Sequence, residues 1–269
     1  MDNTVESTAE RMVKLEITEK GVAIVKLNRP KALNAINDQM KVELLETVRQ
    51  VAQDPAVKVV VLTGEGRAFC AGGDVKEMAA SNSPMYLRNR MRRYLHQIII
   101  TLHQMEKPVI TAVNGYAVGA GCNLALSGDI ILASDQAKFS EIFVQVGLIP
   151  DAGGFYFLPR LIGLHKAKEM IFRGKMIDAQ EAERMGLVNH VYPHDELMDK
   201  ALEMANELAD GPTLAIGVAK TMINQIANMD LIRALDYEAA AQAIMTSTED
   251  HREGVRAFAE KRKPKFTGN

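Results

Sequence analysis

The chain contains no tryptophan, and aromatic residues make up only 5% of its 269 positions. Stacking platforms for single-stranded bases need such rings, so their scarcity argues against that mode of nucleic-acid binding. Only two cysteines occur, Cys70 and Cys122. Two thiols make no disulfide framework and neither stands in a metal-ligand spacing, which points to a reducing compartment. No apolar run approaches the length of a membrane span. The first dozen residues carry Asp2, Glu6 and Glu10 without the apolar stretch of a signal peptide. A formal net charge of -2 gives no overall attraction to nucleic acid or anionic lipid. The expectation is a soluble, cytoplasmic protein with no nucleic-acid or membrane partner.

What is present is an alternation of strand and helix patterns. Residues 13–17 and 22–27 alternate apolar and polar side chains around a Glu19-Lys20-Gly21 turn, which predicts a hairpin. Asn37 or Asp38 then caps a helix whose apolar positions, Met40, Leu44, Leu45, Val48 and Val51, share one face. The β-branched run 57–62 predicts a strand covered on both sides. Leu87, Met91, Leu95, Ile98, Leu102 and Met105 trace one long amphipathic helix, ended by Lys107 and Pro108. Strands at 109–113, 130–133 and 187–192 and a short helix at 120–127 complete an α/β pattern with mostly parallel pairing. The predicted division is a tail over residues 1–11, a core over 12–195 and an all-helical region over 196–269. Helices this rich in alanine and methionine need cover, either from a subunit interface or from ordinary intrachain packing.

Two glycine-rich segments each follow a predicted buried strand, one from Gly64 to Asp74 and one from Asn114 to Cys122. Glycine lets backbone approach a ligand closely, and a helix N-terminus presents free N–H groups with a favourable dipole. Two such N–H groups converging on one point would hold the oxygen of a thioester as it becomes an enolate. The same glycines also suit plain tight turns. Neither segment has the lysine-ended spacing of a phosphate loop.

Five strings carry a family resemblance: LNRPKALNAI at 27–36, RAFCAGGDVKEM at 67–78, KPVITAVNGYAVGAGCNLALSGDI at 107–130, GLIPDAGG at 147–154 and FAEKRKPKF at 258–266. Together they resemble the crotonase, or enoyl-CoA hydratase/isomerase, superfamily over essentially the whole chain after Arg11. The resemblance implies an α/β spiral of ββα units followed by a helical trimerisation region, assembled as a trimer or a dimer of trimers. It implies a coenzyme A thioester as substrate and no permanently bound cofactor or metal. Carried onto matching positions, it assigns an oxyanion pair to the backbone N–H groups of Gly73 and Ala120. Coenzyme A contacts fall on Ala32, Ala71, Gly72 and Asp74. Phe258 and Lys261 match a pair that reaches coenzyme A, in an adjacent subunit or the same one, although Lys261 also reads as part of a solvated basic tail.

Family hydratases use two glutamates, and here Asn123 and Phe143 stand at those places. An amide takes no proton at neutral pH and a phenyl ring takes none at all, so the two-carboxylate machinery for hydration is missing. What remains is Asp151, where isomerases of the family resemble this sequence in carrying aspartate. Its local setting, Pro150-Asp151-Ala152-Gly153, equally suits a turn or a helix cap. The missing glutamates and the family pattern favour a proton carrier. An apolar wall such as Phe143 is then expected to raise its pKa and exclude water. Asn123 is read either as orienting substrate or as packing locally, and Glu141 as the reserve base. Glu77, His96 and His103 are read as solvated or satisfied. The leading expectation is an acyl-CoA isomerase that shifts a double bond or rearranges an epoxide. The alternatives are a hydratase, lyase or hydrolase of the same family, and an inactive acyl-CoA-binding subunit.

Overall fold

A computed structural model describes residues 11–80 and 83–269. The expected N-terminal tail thus lies outside the described residues except for Arg11. Strands β1 (Val13–Ile17) and β2 (Val22–Leu27) form the hairpin, its turn closed by the Gly21 N–H donating to the Thr18 carbonyl at 2.9 Å. Helix α1 (Asp38–Gln53) leads to β3 (Val59–Gly64) and β4 (Ala68–Cys70). Helices α2 (Val75–Ala80), α3 (Pro84–Arg93) and α4 (Leu95–Gln104) follow. The strand, strand, helix order recurs as β5 (Val109–Val113), β6 (Tyr116–Val118) and α5 (Ala120–Leu126). It recurs again as β7 (Ile130–Ser134), β8 (Lys138–Ser140) and α6 (Gly154–Arg173). Then come β9 (Ile177–Asp178), α7 (Ala179–Arg184) and β10 (His190–Tyr192). The chain ends in α8 (Leu197–Ala209), α9 (Thr213–Ile226), α10 (Leu231–Met245) and α11 (Glu249–Ala259).

Each recurrence gives its first strand to one sheet and its second to another. The larger sheet has the order β1-β2-β3-β5-β7-β10, parallel except for the hairpin. The smaller has the order β4-β6-β8-β9. Strand β3 shows why both faces are covered. Val60 and Leu62 point into the main core with α1, α4 and the smaller sheet, while Val59 and Val61 pack against α8. In α8, Ala201, Ala205 and Ala209 recur every fourth position, and their small side chains let the helix lie close on the sheet.

The structure corrects several sequence expectations. Asn37 caps α1, its side chain accepting from the Met40 N–H at 2.9 Å, and Asp38 is the first helical residue. The single long helix is two, broken at Tyr94 (φ -119°, ψ -72°), because α4 packs on α1 while α3 turns Leu87 and Met91 toward a cavity. The strand expected from residue 57 begins at Val59, and the one expected from 187 begins at His190. Strands of the smaller sheet, only two or three residues each, were not predicted. Helix α6 carries Pro159 and a break at Gly163.

The C-terminal helices differ in how far the chain itself covers them. α8 is packed within the chain, and α9 is pinned by buried Lys220, whose ammonium reaches Asp129 at 2.8 Å and the Leu102 carbonyl at 2.8 Å. Beyond this, α9, α10 and α11 line an apolar groove of about 1370 Å³ that includes Met222, Leu235 and Val255. Ile232 and Phe258 stand 74% and 89% exposed. Among the described residues no helix is long and apolar enough to cross a membrane.

Candidate active site

The site begins with a residue that the sequence analysis did not single out, in the loop that holds Ala32. Asn34 has a left-handed backbone (φ 55°) and a fully buried side chain. Its Oδ1 accepts from the Arg29 N–H at 2.8 Å, and its Nδ2 donates to the carbonyls of Glu65 and Ala68 at 3.0 and 2.8 Å. Those bonds lay residues 32–36 beside 71–74, where the Ala71 N–H donates to Leu33, Ile36 to Gly72, and Asp74 back to Ile36. Ala32, Ala71, Gly72 and Asp74, the expected coenzyme A contacts, are therefore neighbours. Replacing Asn34 with alanine is expected to cost about 2–3 kcal/mol, through three lost bonds and the loss of the short polar side chain that lets asparagine tolerate a left-handed backbone. Chemical denaturation would measure it.

This pairing uses Ile36 against both Gly72 and Asp74, which leaves the Gly73 N–H on the opposite edge. Gly72 has φ 93°, and a Cβ built on it would come within 2.7 Å of the Val118 carbonyl and 3.6 Å of the Ala120 nitrogen. The two glycine-rich loops thus abut. Ala120 opens α5 after Gly119, which gives no side-chain cap, and the first N–H groups of a helix have no intrahelical acceptor.

Gly73, Ala120 and Asp151 line one cavity of about 640 Å³. Asp151 caps nothing: α6 starts after Gly153 (φ 87°) with no side-chain cap, and Asp151 Oδ1 has no partner. The turn-residue alternative survives only for its backbone, whose carbonyl accepts from the Gly154 N–H at 2.9 Å. Left-handed Ala152 (φ 46°) and Gly153 carry the chain sharply from Asp151 into the helix. Burial pushes the Asp151 carboxyl up to about 6, with Lys41 opposing.

The other candidates sit differently. Asn123 is fully buried and absent from the cavity lining, and its amide donates to the Asp151 carbonyl at 2.9 Å and to Glu141 Oε2 at 3.3 Å. Of its two readings, local packing is the one observed, and the bond fixes the Asp151 backbone. Glu141, the reserve base, is also fully buried behind that lining, and burial pushes it up to about 7. Phe143 does not wall the cavity. It stands in a 3-10 turn, Ile142–Val146, with its ring 3.5 Å from where a Gly119 Cβ would be. The apolar wall comes instead from Ile36, Leu87, Met91, Leu95, Leu148 and Ile149.

Glu77 and His96 line the cavity too. Glu77 accepts from the Asp38 N–H at 3.1 Å, and burial lowers the His96 pKa. His103 lies edge-on to Tyr156 and Phe157, as a satisfied packing residue. Lys41, also on the cavity wall, was missed because it reads as an ordinary polar position of α1. Its spacing of three from Asp38 was the available signal. Phe258 and Lys261 are not brought to this cavity within the chain. Among the described residues no cluster of side chains suits a metal ion.

The chain thus pairs two sheets in a repeating strand, strand, helix order, with two glycine-rich loops facing a cavity that holds a carboxylate. Residues 17–269 match the enoyl-CoA hydratase/isomerase family model, and the chain belongs to that family, with the crotonase fold. It is 40% identical over 256 residues to the 1,2-epoxyphenylacetyl-CoA isomerase of Escherichia coli, covering 94% of this chain and 98% of that protein. It is 41% identical over 247 residues to the short-chain-enoyl-CoA hydratase of Clostridium acetobutylicum, covering 91% and 94%. The crystal structure of enoyl-CoA hydratase from Bacillus anthracis superposes with a TM-score of 0.92 at 36% identity, covering 96% of this chain and all of that one.

Proposed function

We propose that this enzyme is an acyl-CoA isomerase that moves a double bond by a 1,3-proton transfer, or rearranges an epoxide, through a thioester enolate. Asp151 takes a proton from the acyl chain and returns it two carbons along, while the Gly73 and Ala120 N–H groups hold the charge that collects on the thioester oxygen. The observation that supports this most is the state of the cavity's carboxylates. Asp74 is paired with Arg29 at 2.6 Å, Asp38 with Lys41 and Arg90, and Glu77 holds a backbone N–H. Glu77 keeps its other oxygen, Oε2, buried without a partner, and Asp151 combines such an oxygen with a carboxyl that burial pushes up to about 6.

On this reading coenzyme A lies along Ala32, Ala71, Gly72 and Asp74, and the groove beside α9, α10 and α11 is covered by further copies in a trimer or a dimer of trimers. Phe258 and Lys261 then serve a coenzyme A held by a neighbouring copy. The experiment is to mix the pure protein with 3-hexenoyl-CoA and with crotonyl-CoA in deuterated water. Migration of the 3,4 bond with solvent deuterium in the product is expected, with slow hydration of crotonyl-CoA. Rapid hydration of crotonyl-CoA with 3-hexenoyl-CoA untouched overturns the reading in favour of a hydratase. The hydratase among the relatives is the specific reason to run both substrates.

A further inference from the structure

Among the described residues Asp151 Oδ1 has no hydrogen-bond partner, so its protonation is set by its burial and, against that, by the charge around it. From α1 the cavity receives Asp38 and Lys41, and from α2 and the residue before it Glu77 and Asp74. Helices α3 and α4 add Tyr86, Arg90 and His96, and α6 adds Tyr156. Glu141 lies behind the lining, bridged to the Asp151 backbone by the Asn123 amide. Of the cations, Arg90 is engaged by Asp38, and Arg29, outside the lining, is engaged by Asp74. Lys41 bonds Asp38 at 3.1 Å with one of its three donors. It also feels Glu77, Asp151 and Asp74, and burial outweighs them in pulling its own pKa down.

We propose that Lys41 is a positioning residue for proton transfer: tethered to the cavity wall by Asp38, its ammonium keeps Asp151 available as an ionised base at neutral pH. The inference rests on the assignment of Asp151 as the proton carrier. It goes beyond that assignment by naming the group that sets the pH at which the carrier works. Lys41 lines the same cavity as this carboxylate, and its charge opposes the effect of burial on it. Without Lys41, the apolar surroundings would hold the proton on Asp151 further into the neutral range.

The test is the pH profile of kcat/KM for isomerisation of 3-hexenoyl-CoA, whose rising limb reports the free enzyme's base. Wild type is expected to rise near pH 6. Lys41→Met and Lys41→Gln should both move the limb up by about one pH unit, so that the rate at pH 6 falls ~10-fold further than the rate at pH 8.5. Lys41→Arg should return the limb to its wild-type place. A limb that stays put in both neutral variants while the plateau falls overturns the inference, since that is what lost packing alone would do. An arginine variant that behaves like the methionine one overturns it too. Asp151→Asn run in parallel separates the two ideas. If that variant keeps turnover, the proton-carrier assignment fails; if it is inactive and the Lys41 variants leave the limb unmoved, only the role of Lys41 fails.

Discussion

Asp151→Asn is expected to lower kcat by ~10²–10⁴-fold, the usual worth of a positioned acid–base group, while the affinity for a non-reactive acyl-CoA analogue changes little. Asparagine fills the same space but carries no proton between carbons. The same substitution is expected to stabilise the fold. Asp151 has its folded-state pKa raised from the ordinary 3.8 to about 6. The folded protein therefore holds that proton more tightly than the unfolded chain does, and its stability falls as pH rises from about 4 through 6. Removing the ionisable group removes that loss. The gain should be on the order of 1–2 kcal/mol above pH 7 and absent near pH 4, in thermal denaturation at both values. Turnover within about threefold of wild type would take Asp151 out of the mechanism. A stability change equal at both pH values would show that packing, and not the buried charge, separates the two proteins.

Asn123 and Glu141 show how the same physics serves a residue behind the site. Glu141 is fully buried, with Oε1 unpartnered, and its carboxyl is pushed up to about 7 by burial. It is largely protonated on the acid side of neutrality, which suits a group lodged beside an amide and the Cys122 thiol. The pair lies on the α5 side of the chamber, behind its lining. It also ties α5, through Asn123, to the backbone of the residue expected to move protons. Gly154 makes room for this, since a Cβ there would stand 2.5 Å from the Asn123 amide nitrogen.

Which parts were legible follows from how far each signal extends along the chain. The larger sheet was readable because β2, β3 and β5 are runs of five or six residues rich in valine and isoleucine, a signal that stands out locally. The smaller sheet was not, because β4, β6 and β8 are three residues each, too short for any period to show. The break at Tyr94 was hidden because apolar spacing continues across it while the surface being covered changes. In the cavity, Gly73, Ala120 and Asp151 were found through glycine spacing and family strings. Phe143 was expected in the wall because only its residue type was visible. Its actual direction depends on a 3-10 turn that ends at left-handed Gly147. The acyl wall of Leu148 and Ile149 comes from the residues just beyond that turn, which sequence periodicity does not address.

The contact between β4 and α5 carries the second large expectation. A Cβ on Gly121 would stand 2.2 Å from the Cys70 carbonyl oxygen and 2.7 Å from its carbon. Both are backbone atoms of a strand held by β6 on one side and by the Asn34 amide on the other, so no side-chain rotation relieves the clash. Gly121→Ala must push α5 away, and with it the Ala120 N–H away from Gly73. The expected outcome is a loss of at least ~3 kcal/mol in stability, with turnover reduced in whatever folds. Gly147→Ala is the control for backbone strain alone. Gly147 has φ 70° and nothing within 4 Å of its would-be Cβ, so that change should cost only about 1 kcal/mol. Denaturation midpoints of the two variants, measured side by side, separate contact from conformation. If Gly121→Ala is no less stable than Gly147→Ala, helix and strand do not touch as described, and the two N–H groups are not held in place by that contact.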